Sequence, residues 1–181
     1  MNPSNPMLET ERLLLRPFAL SDAGDVQRLA GDSAVAETTT NIPHPYEDGM
    51  AEAWIASHQE LFDSDEGMTW AVTLQSDGKL VGAFSLLRLK AGHQAEMGYW
   101  VGRPYWGQGY CTEAARSVMT HAFGPLGLIR LHAIHMASNP ASGRVMQKLG
   151  MTLEGTRASH LQARGRFHDV VQYGILKEDA P

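Results

Sequence analysis

The stretch from Gln94 to Phe123 constrains the fold more than any other part of the chain. It begins as Gln94-Ala-Glu-Met-Gly-Tyr-Trp-Val101, which reads as a strand. It then passes through a loop holding Gly102, Gly107 and Gly109. From Gly109 to Phe123 the pattern is helical, with Ala114, Ala115, Val118, Met119, Ala122 and Phe123 on one apolar stripe that Gly124-Pro125 stops. A strand that feeds such a helix needs a sheet for the helix to lie on, so the segment commits the chain to a layered α/β architecture.

The same junction suggests chemistry. The first turn of a helix carries unpaired backbone N–H groups and the positive end of the helix dipole, a setting that suits phosphate. Gly107 and Gly109 remove side chains that would hold a diphosphate away from those groups. A dinucleotide fingerprint would require glycine at 112, where Thr112 stands, and the Gly-Lys-Ser/Thr of a P-loop is missing. An isolated Gly-x-Gly is equally served by a plain turn into a helix.

The rest of the chain supplies a sheet. Leu8–Phe18 reads as a first strand, followed by a helix that Ser21 can cap, with Val26 and Leu29 on one face. Residues 41–46 hold two prolines and read as a loop. Ala51, Trp54, Ile55, His58, Leu61 and Phe62 then recur at helical spacing over about 47–64. Thr69–Leu74 and Leu80–Leu89 are strand-like about the turn Ser76-Asp-Gly-Lys79. Ile129–Met136 is a strand, Pro140–Leu149 a short helix stopped by Gly150, and 151–162 with 167–176 two strands about Arg164-Gly-Arg166. No internal repeat is visible.

Length and composition narrow the class. At 181 residues, 43% hydrophobic and 19% charged, the chain reads as one globular domain over 1–181. The opening Met1-Asn-Pro-Ser-Asn-Pro6 shows no leader-peptide pattern, and no apolar run approaches the roughly 20 residues that span a bilayer. The only cysteine is Cys111, so no intramolecular disulfide forms and a cytoplasmic setting is expected. A net charge of −5 argues against nucleic acid as a partner and suits a cationic one such as an amine.

The loop and its flanks, Pro104-Tyr-Trp-Gly-Gln-Gly-Tyr-Cys-Thr-Glu-Ala114, resemble the acyl-coenzyme-A-binding motif of the GCN5-related N-acetyltransferase (GNAT) superfamily. Within it they are most similar to the branch of ribosomal-protein alanine and serine N-acetyltransferases, RimJ and RimL. Trp106 takes the first slot of the superfamily's Gln/Arg-x-x-Gly-x-Gly/Ala pattern, departing from it but fitting the branch, and Cys111 takes the final small slot. A second match is Asn139-Pro-Ala-Ser142 with Lys148-Leu-Gly-Met151; Glu11–Pro17 and Arg166–Asp169 with Tyr173 match the branch as well. The resemblance spans essentially the entire chain.

The resemblance implies a mixed central sheet of about seven strands, splayed between the fourth and fifth, with helices on both faces. It implies acetyl-CoA as the acyl donor and no metal. Pantetheine would pair with the edge of the strand at Met97, Tyr99 and Val101, and the diphosphate would rest at Trp106, Gly107, Gln108, Gly109, Tyr110, Cys111 and Thr112. Arg144 and Lys148, one turn apart, form either a solvated helix face or a contact to a coenzyme phosphate.

The implied reaction is direct attack of a neutral amine on the thioester. An α-amine, with a pKa near 7.7–8.0, is mostly protonated at neutral pH and needs a proton acceptor. Glu96 is the candidate, since alternation puts it on one face with Gly98 and Trp100; a solvated edge glutamate is the plain alternative. The leaving thiolate needs a donor. Many family members carry a tyrosine where this chain has Met146, so the role falls to Ser142, with helix capping as its other reading. Asn139 is expected at the pantetheine amides or the helix start, and a turn explains it too. His44 and Tyr46 would meet the acceptor from their loop. His132 and His135, three apart on a strand, point to opposite faces and do not make a metal pair. The resemblance implies a primary amine as acceptor, with the N-terminal α-amine of a ribosomal or other protein the leading expectation and a small amine (antibiotic, polyamine or amino acid) or a non-catalytic acyl-CoA-binding module as alternatives. Relatives often form homodimers, which extends that expectation to this chain.

Overall fold

A computed structural model describes residues 5–181. The first four residues, which belong to the opening read for a leader peptide, lie outside the described residues. Leu8–Phe18 is not one strand. Thr10 turns the chain, its hydroxyl accepting the Leu13 N–H at 2.9 Å, and this splits the segment into β1 (Leu8–Glu9) and β2 (Leu13–Arg16). That short hairpin raises the strand number from about seven to eight.

The helices that follow are α1 (Ala23–Ala30), α2 (Ser33–Thr38) and α3 (Met50–Asp63). Ser21 does not cap α1. Asp22 stands at that position, its carboxylate taken by the Ala19 N–H at 2.8 Å and by both terminal nitrogens of Arg16. The six-residue α2, too short to show a period, is capped by Asp32, which accepts the Ala34 N–H at 2.9 Å. Three antiparallel strands follow, β3 (Gly67–Leu74), β4 (Leu80–Lys90) and β5 (Gln94–Val101). Then come α4 (Tyr110–Phe123), β6 (Arg130–Met136), α5 (Pro140–Lys148), β7 (Thr152–Ala163) and β8 (Arg166–Leu176).

One sheet runs β1-β2-β3-β4-β5-β6-β8-β7, antiparallel except where β5 meets β6. Period-2 alternation divides its strands between two layers. Trp70, Val72, Phe84 and Met97 face α4 and α5, joining Ala115, Val118, Ala122 and Met146 in the larger core. Ala71, Ala83 and Trp100 face the other way, against Val26 and Leu29 of α1 and Ala51 and Ile55 of α3. Helices therefore cover both faces, and the apolar stripe read on α4 is the one it buries. Among the described residues no helix is long and apolar enough to cross a membrane.

Pairing between β5 and β6 is confined to three rungs, Gln94 with Arg130, Ala95 with Leu131 and Glu96 with His132. Beyond Glu96, β5 stays on β4 as far as Val101, while β6 stays on β8 as far as Met136. Parallel strands that part in this way open a wedge in the sheet. This is the expected splay, and the extra strand at the start of the chain places it between β5 and β6. Among the described residues the edge of β5 from Met97 to Val101 has no strand partner on that side.

Candidate active site

The loop from β5 to α4 ends at the mouth of the wedge. Gly109 caps α4 with φ of 83° and Gly107 has φ of 75°, both in the left-handed region where a side chain costs energy. A Cβ on Gly107 would meet nothing within 4 Å, so the space beside it is open. Among the described residues the N–H groups from Gly107 to Thr112 donate to no backbone carbonyl, whereas that of Glu113 closes on Gly109 at 3.1 Å. Six donors thus converge at the start of a 14-residue helix, which is the arrangement an anion needs.

The N-terminal hairpin holds this loop. Arg12 Nε donates to Glu113 at 2.7 Å, its Nη1 donates to the Gln108 carbonyl at 3.1 Å, and its guanidinium lies 4.6 Å over the Tyr110 ring. Thr10 donates to the same Glu113 carboxylate at 2.6 Å. A glutamate in the first turn would repel a phosphate, and Arg12 cancels that charge. Trp106 bends back, its indole N–H donating to the Val101 carbonyl at 2.6 Å while the ring stays 43% exposed. Gln108 donates its side-chain amide to Pro104. Cys111 points inward, and burial pushes its thiol up to about 12, so it stays a neutral thiol of small volume. A groove of about 920 Å³ runs outward from Gly109 and Thr112 between the N-terminal hairpin and α4, past Arg116 and Lys148; it is distinct from the wedge.

Ser142 and Glu96 lie on the two sides of β5. Ser142, in the first turn of α5, has its Oγ 2.8 Å from the Tyr99 hydroxyl. Tyr99 points to the α4–α5 face, where burial raises its pKa and keeps it a neutral phenol. Sequence spacing does not join two residues 43 positions apart, and it points to Tyr99 only for the backbone edge of its strand. Asn139 caps α5, accepting the Ser142 N–H at 3.4 Å, and its amide donates to the Thr38 carbonyl of α2 at 3.1 Å. Met146, in the slot where relatives carry tyrosine, is core.

Glu96 projects from the last rung of the β5–β6 ladder toward the α1–α3 face. Its Oε2 is held by Arg88 Nη1 and lies 3.5 Å from His132 Nε2. Interaction with His132, then the charge of Arg88, keeps its pKa below the usual carboxylate value despite burial. Its Oε1 makes no hydrogen bond or ion pair among the described residues and is not buried. Next along this face, a Cβ on Gly98 would touch only Leu87, at 3.5 Å, so the floor beside Glu96 is open. His44 and Tyr46 are placed elsewhere, against α1: His44 Nδ1 is 3.2 Å from the Gly31 carbonyl, and Tyr46 packs over Gly31 in the second core. No contact links them to Glu96 or Ser142. His132 turns to Glu96 while His135 turns to Gly143 of α5, opposite faces as their spacing requires. Among the described residues no three metal-ligating side chains cluster.

A sheet splayed beside a helix mouth with free amides is an arrangement that suits an extended, anionic ligand. The chain belongs to the GNAT acetyltransferases: the model for the acetyltransferase (GNAT) domain matches residues 12–152. The uncharacterised N-acetyltransferase YnaD of Bacillus subtilis (strain 168) is 30% identical over 173 residues, 95% of this chain and 98% of that one. Among solved structures, a GNAT-family acetyltransferase from Bacillus anthracis superposes with a TM-score of 0.85 at 25% identity, covering 96% of this chain and 99% of the other. RimL, a ribosomal L7/L12 α-N-protein acetyltransferase in complex with coenzyme A, superposes equally well, TM-score 0.85 over 94% of this chain and 98% of its own, at 19% identity, a likeness of fold.

Proposed function

We propose that this N-acetyltransferase takes its acetyl group from acetyl-CoA and transfers it to the N-terminal α-amine of a protein, a ribosomal protein being the leading candidate. The donor supplies an activated thioester; the rest is done by residues of the chain. The amides of Gly107–Thr112 bind the diphosphate, and the free edge at Met97–Val101 pairs with the pantetheine amides as an added strand would. Asn139 fixes the start of α5 and with it Ser142.

At the reacting centre the amine attacks the thioester carbon and the carbon–sulfur bond breaks. Glu96 Oε1 accepts the proton the nitrogen loses, and Ser142 Oγ–H protonates the departing sulfur. The Tyr99 hydroxyl donates to Ser142 Oγ, leaving the serine proton free for that step. Glu96 is a weak base with its lowered pKa, so it binds the ammonium as an ion pair; the ammonium first gives one proton to water, the neutral nitrogen then attacks, and Glu96 takes the second proton as that nitrogen becomes acidic.

The observation that carries this reading is the open wedge with six unpaired amides at its mouth. The unpartnered carboxylate oxygen and the poised serine favour an enzyme over a non-catalytic binding module. RimL supports the protein N-terminus, and a small amine is the second reading, supported by the chain's negative charge and by a spermidine N(1)-acetyltransferase of Escherichia coli (strain K12), 24% identical over 90% of this chain. A cytoplasmic setting and a homodimer belong to the same proposal, the first supported by the single cysteine and the second by the family. The test is mass-spectrometric detection of products after incubation with acetyl-CoA and a panel of Ala- and Ser-initiated peptides, polyamines and amino acids. Acetylated peptide N-termini support the proposal, acetylated small amines only would shift it to the second reading, and no product with any amine would remove it.

A further inference from the structure

Strand geometry alone would not put Arg88 beside Glu96. Leu87 pairs with Glu96, so Arg88, the next residue, should point through the opposite face of the sheet. The β4–β5 register slips between Leu87 and Lys90, and Arg88 takes φ of 50°, in the left-handed region that non-glycine residues avoid. This bulge swings the guanidinium onto the face of Glu96, where Nη1 reaches Oε2. Backbone strain spent to aim one side chain at one oxygen calls for a functional explanation.

His132 meets the same oxygen from the other side. It is the cross-strand partner of Glu96 on the final rung before the wedge opens, with Nε2 at 3.5 Å from Oε2. Its other ring nitrogen, Nδ1, is buried and has no hydrogen-bond partner among the described residues. A proton on Nδ1 would be an N–H buried with no acceptor, so the proton belongs on Nε2, facing the carboxylate. The charged groups around the pair are Arg88 from β4, Arg130 from β6 and Glu154 from β7, the last two paired with each other at 2.6 Å.

We propose that Arg88 and His132 are positioning residues for Glu96: together they pin Oε2, so that Oε1 is the oxygen presented to the acceptor's ammonium. This rests on the reading of Glu96 as the proton acceptor. The pin does two things. It stops the carboxylate from turning its free oxygen away from the wedge, and it keeps the group ionised, so that a cationic amine meets a full negative charge. Because Arg88 is mostly exposed on a bulge and His132 is sheltered in the ladder, His132 fixes the direction and Arg88 supplies charge.

Two measurements test this. Long-range nitrogen–proton correlation spectra of the histidine rings should show a proton on Nε2 of His132, and carbon spectra should show the Glu96 carboxyl titrating at higher pH in Arg88→Gly, a variant whose glycine also relieves the left-handed backbone. An Nδ1–H tautomer, or a Glu96 titration unmoved by Arg88→Gly, overturns the proposal. The second measurement uses a peptide with a free N-terminal alanine and acetyl-CoA. His132→Asn, whose amide falls near Nδ1, should lower kcat about 10- to 100-fold with unchanged acetyl-CoA affinity, while His132→Gln, whose amide falls near Nε2, keeps most of it. Equal losses in both variants would mean a packing role. In a Glu96→Gln background, His132→Asn should cost nothing more. If Glu96→Gln itself leaves turnover and its pH profile unchanged, the base assignment fails while the spectra still report the pairing.

Discussion

Gly109→Asp is the sharpest perturbation of the donor site. The residue caps α4 at φ of 83°, and a side chain there starts 3.4 Å from Arg12 Nη2, beside the amides that would hold the diphosphate. Two like charges about 4 Å apart repel by about 4 kcal/mol at an effective dielectric constant near 20. Arg12, already shared with Glu113, offsets part of that. The net loss of donor affinity is then about 2–4 kcal/mol, or about 30- to 1000-fold. Gly109→Ala separates charge from strain. The left-handed backbone costs an L-residue about 1–2 kcal/mol, but the cost falls on the free and bound protein alike, so affinity should change by less than about 10-fold. Calorimetric titration with acetyl-CoA at low and high salt reads both numbers, and the excess loss in the aspartate variant should shrink as salt rises. If Gly109→Asp binds as tightly as Gly109→Ala, no diphosphate lies against this helix mouth.

Three further outcomes are expected. Ser142→Ala should lower kcat by about 100-fold while leaving acetyl-CoA affinity within about twofold, as removal of a general acid does; wild-type kcat would exclude Ser142 from that role. In the wild type, kcat/KM for a peptide α-amine should rise about 17-fold between about pH 6.5 and 8.5 as the amine, with a pKa near 7.8, becomes neutral. Glu96→Gln should keep that rise and lower kcat about 100-fold across it; an unchanged kcat would remove Glu96 as the base. Burial between Trp54 and Phe18 pushes the His58 pKa down to about 4, so the unfolded chain takes up a proton below about pH 6.5 that the folded chain refuses. Stability present above about pH 6.5 should therefore fall by about 3 kcal/mol as the pH drops to 4, and His58→Phe should remove most of that slope in melting curves.

Much of this architecture was legible in the sequence because its signals are local. The stripe on α4, the strand Gln94–Val101 and the turn at Arg164-Gly165 follow from periodicity and turn chemistry within a few residues, and each stands where it was expected. The hairpin at Thr10 was hidden because its turn is made by a threonine hydroxyl and lacks glycine and proline, and α2 because six residues carry too little period. The start of α1 was misread by one residue, since Ser21 and Asp22 are both good caps and only Arg16, across the turn, selects the aspartate's role.

The site divides along the same line. The glycine loop could be found from spacing, since an anion site at a helix mouth is a local object. The partners that tune it could not. Arg12 reaches Glu113 across 101 residues, Tyr99 reaches Ser142 across 43, and Arg88 faces Glu96 only because of a bulge that no residue pattern announces. The loop carrying His44 and Tyr46, expected at the acceptor, folds onto α1, where Gln27 and Gly31 hold it, an anchorage that spacing alone does not reveal.

The central claim is that the amides from Gly107 to Thr112 grip the donor's diphosphate at the opening of the β5–β6 wedge. Amide spectra of isotopically labelled protein, recorded while coenzyme A is titrated in, test it residue by residue. The resonances of Gly107–Thr112 and of the β5 edge should move together with one saturation curve, while those of the β7–β8 turn at Arg164 and Gly165 stay in place. Saturable binding that leaves the Gly107–Thr112 amides unmoved would contradict the account.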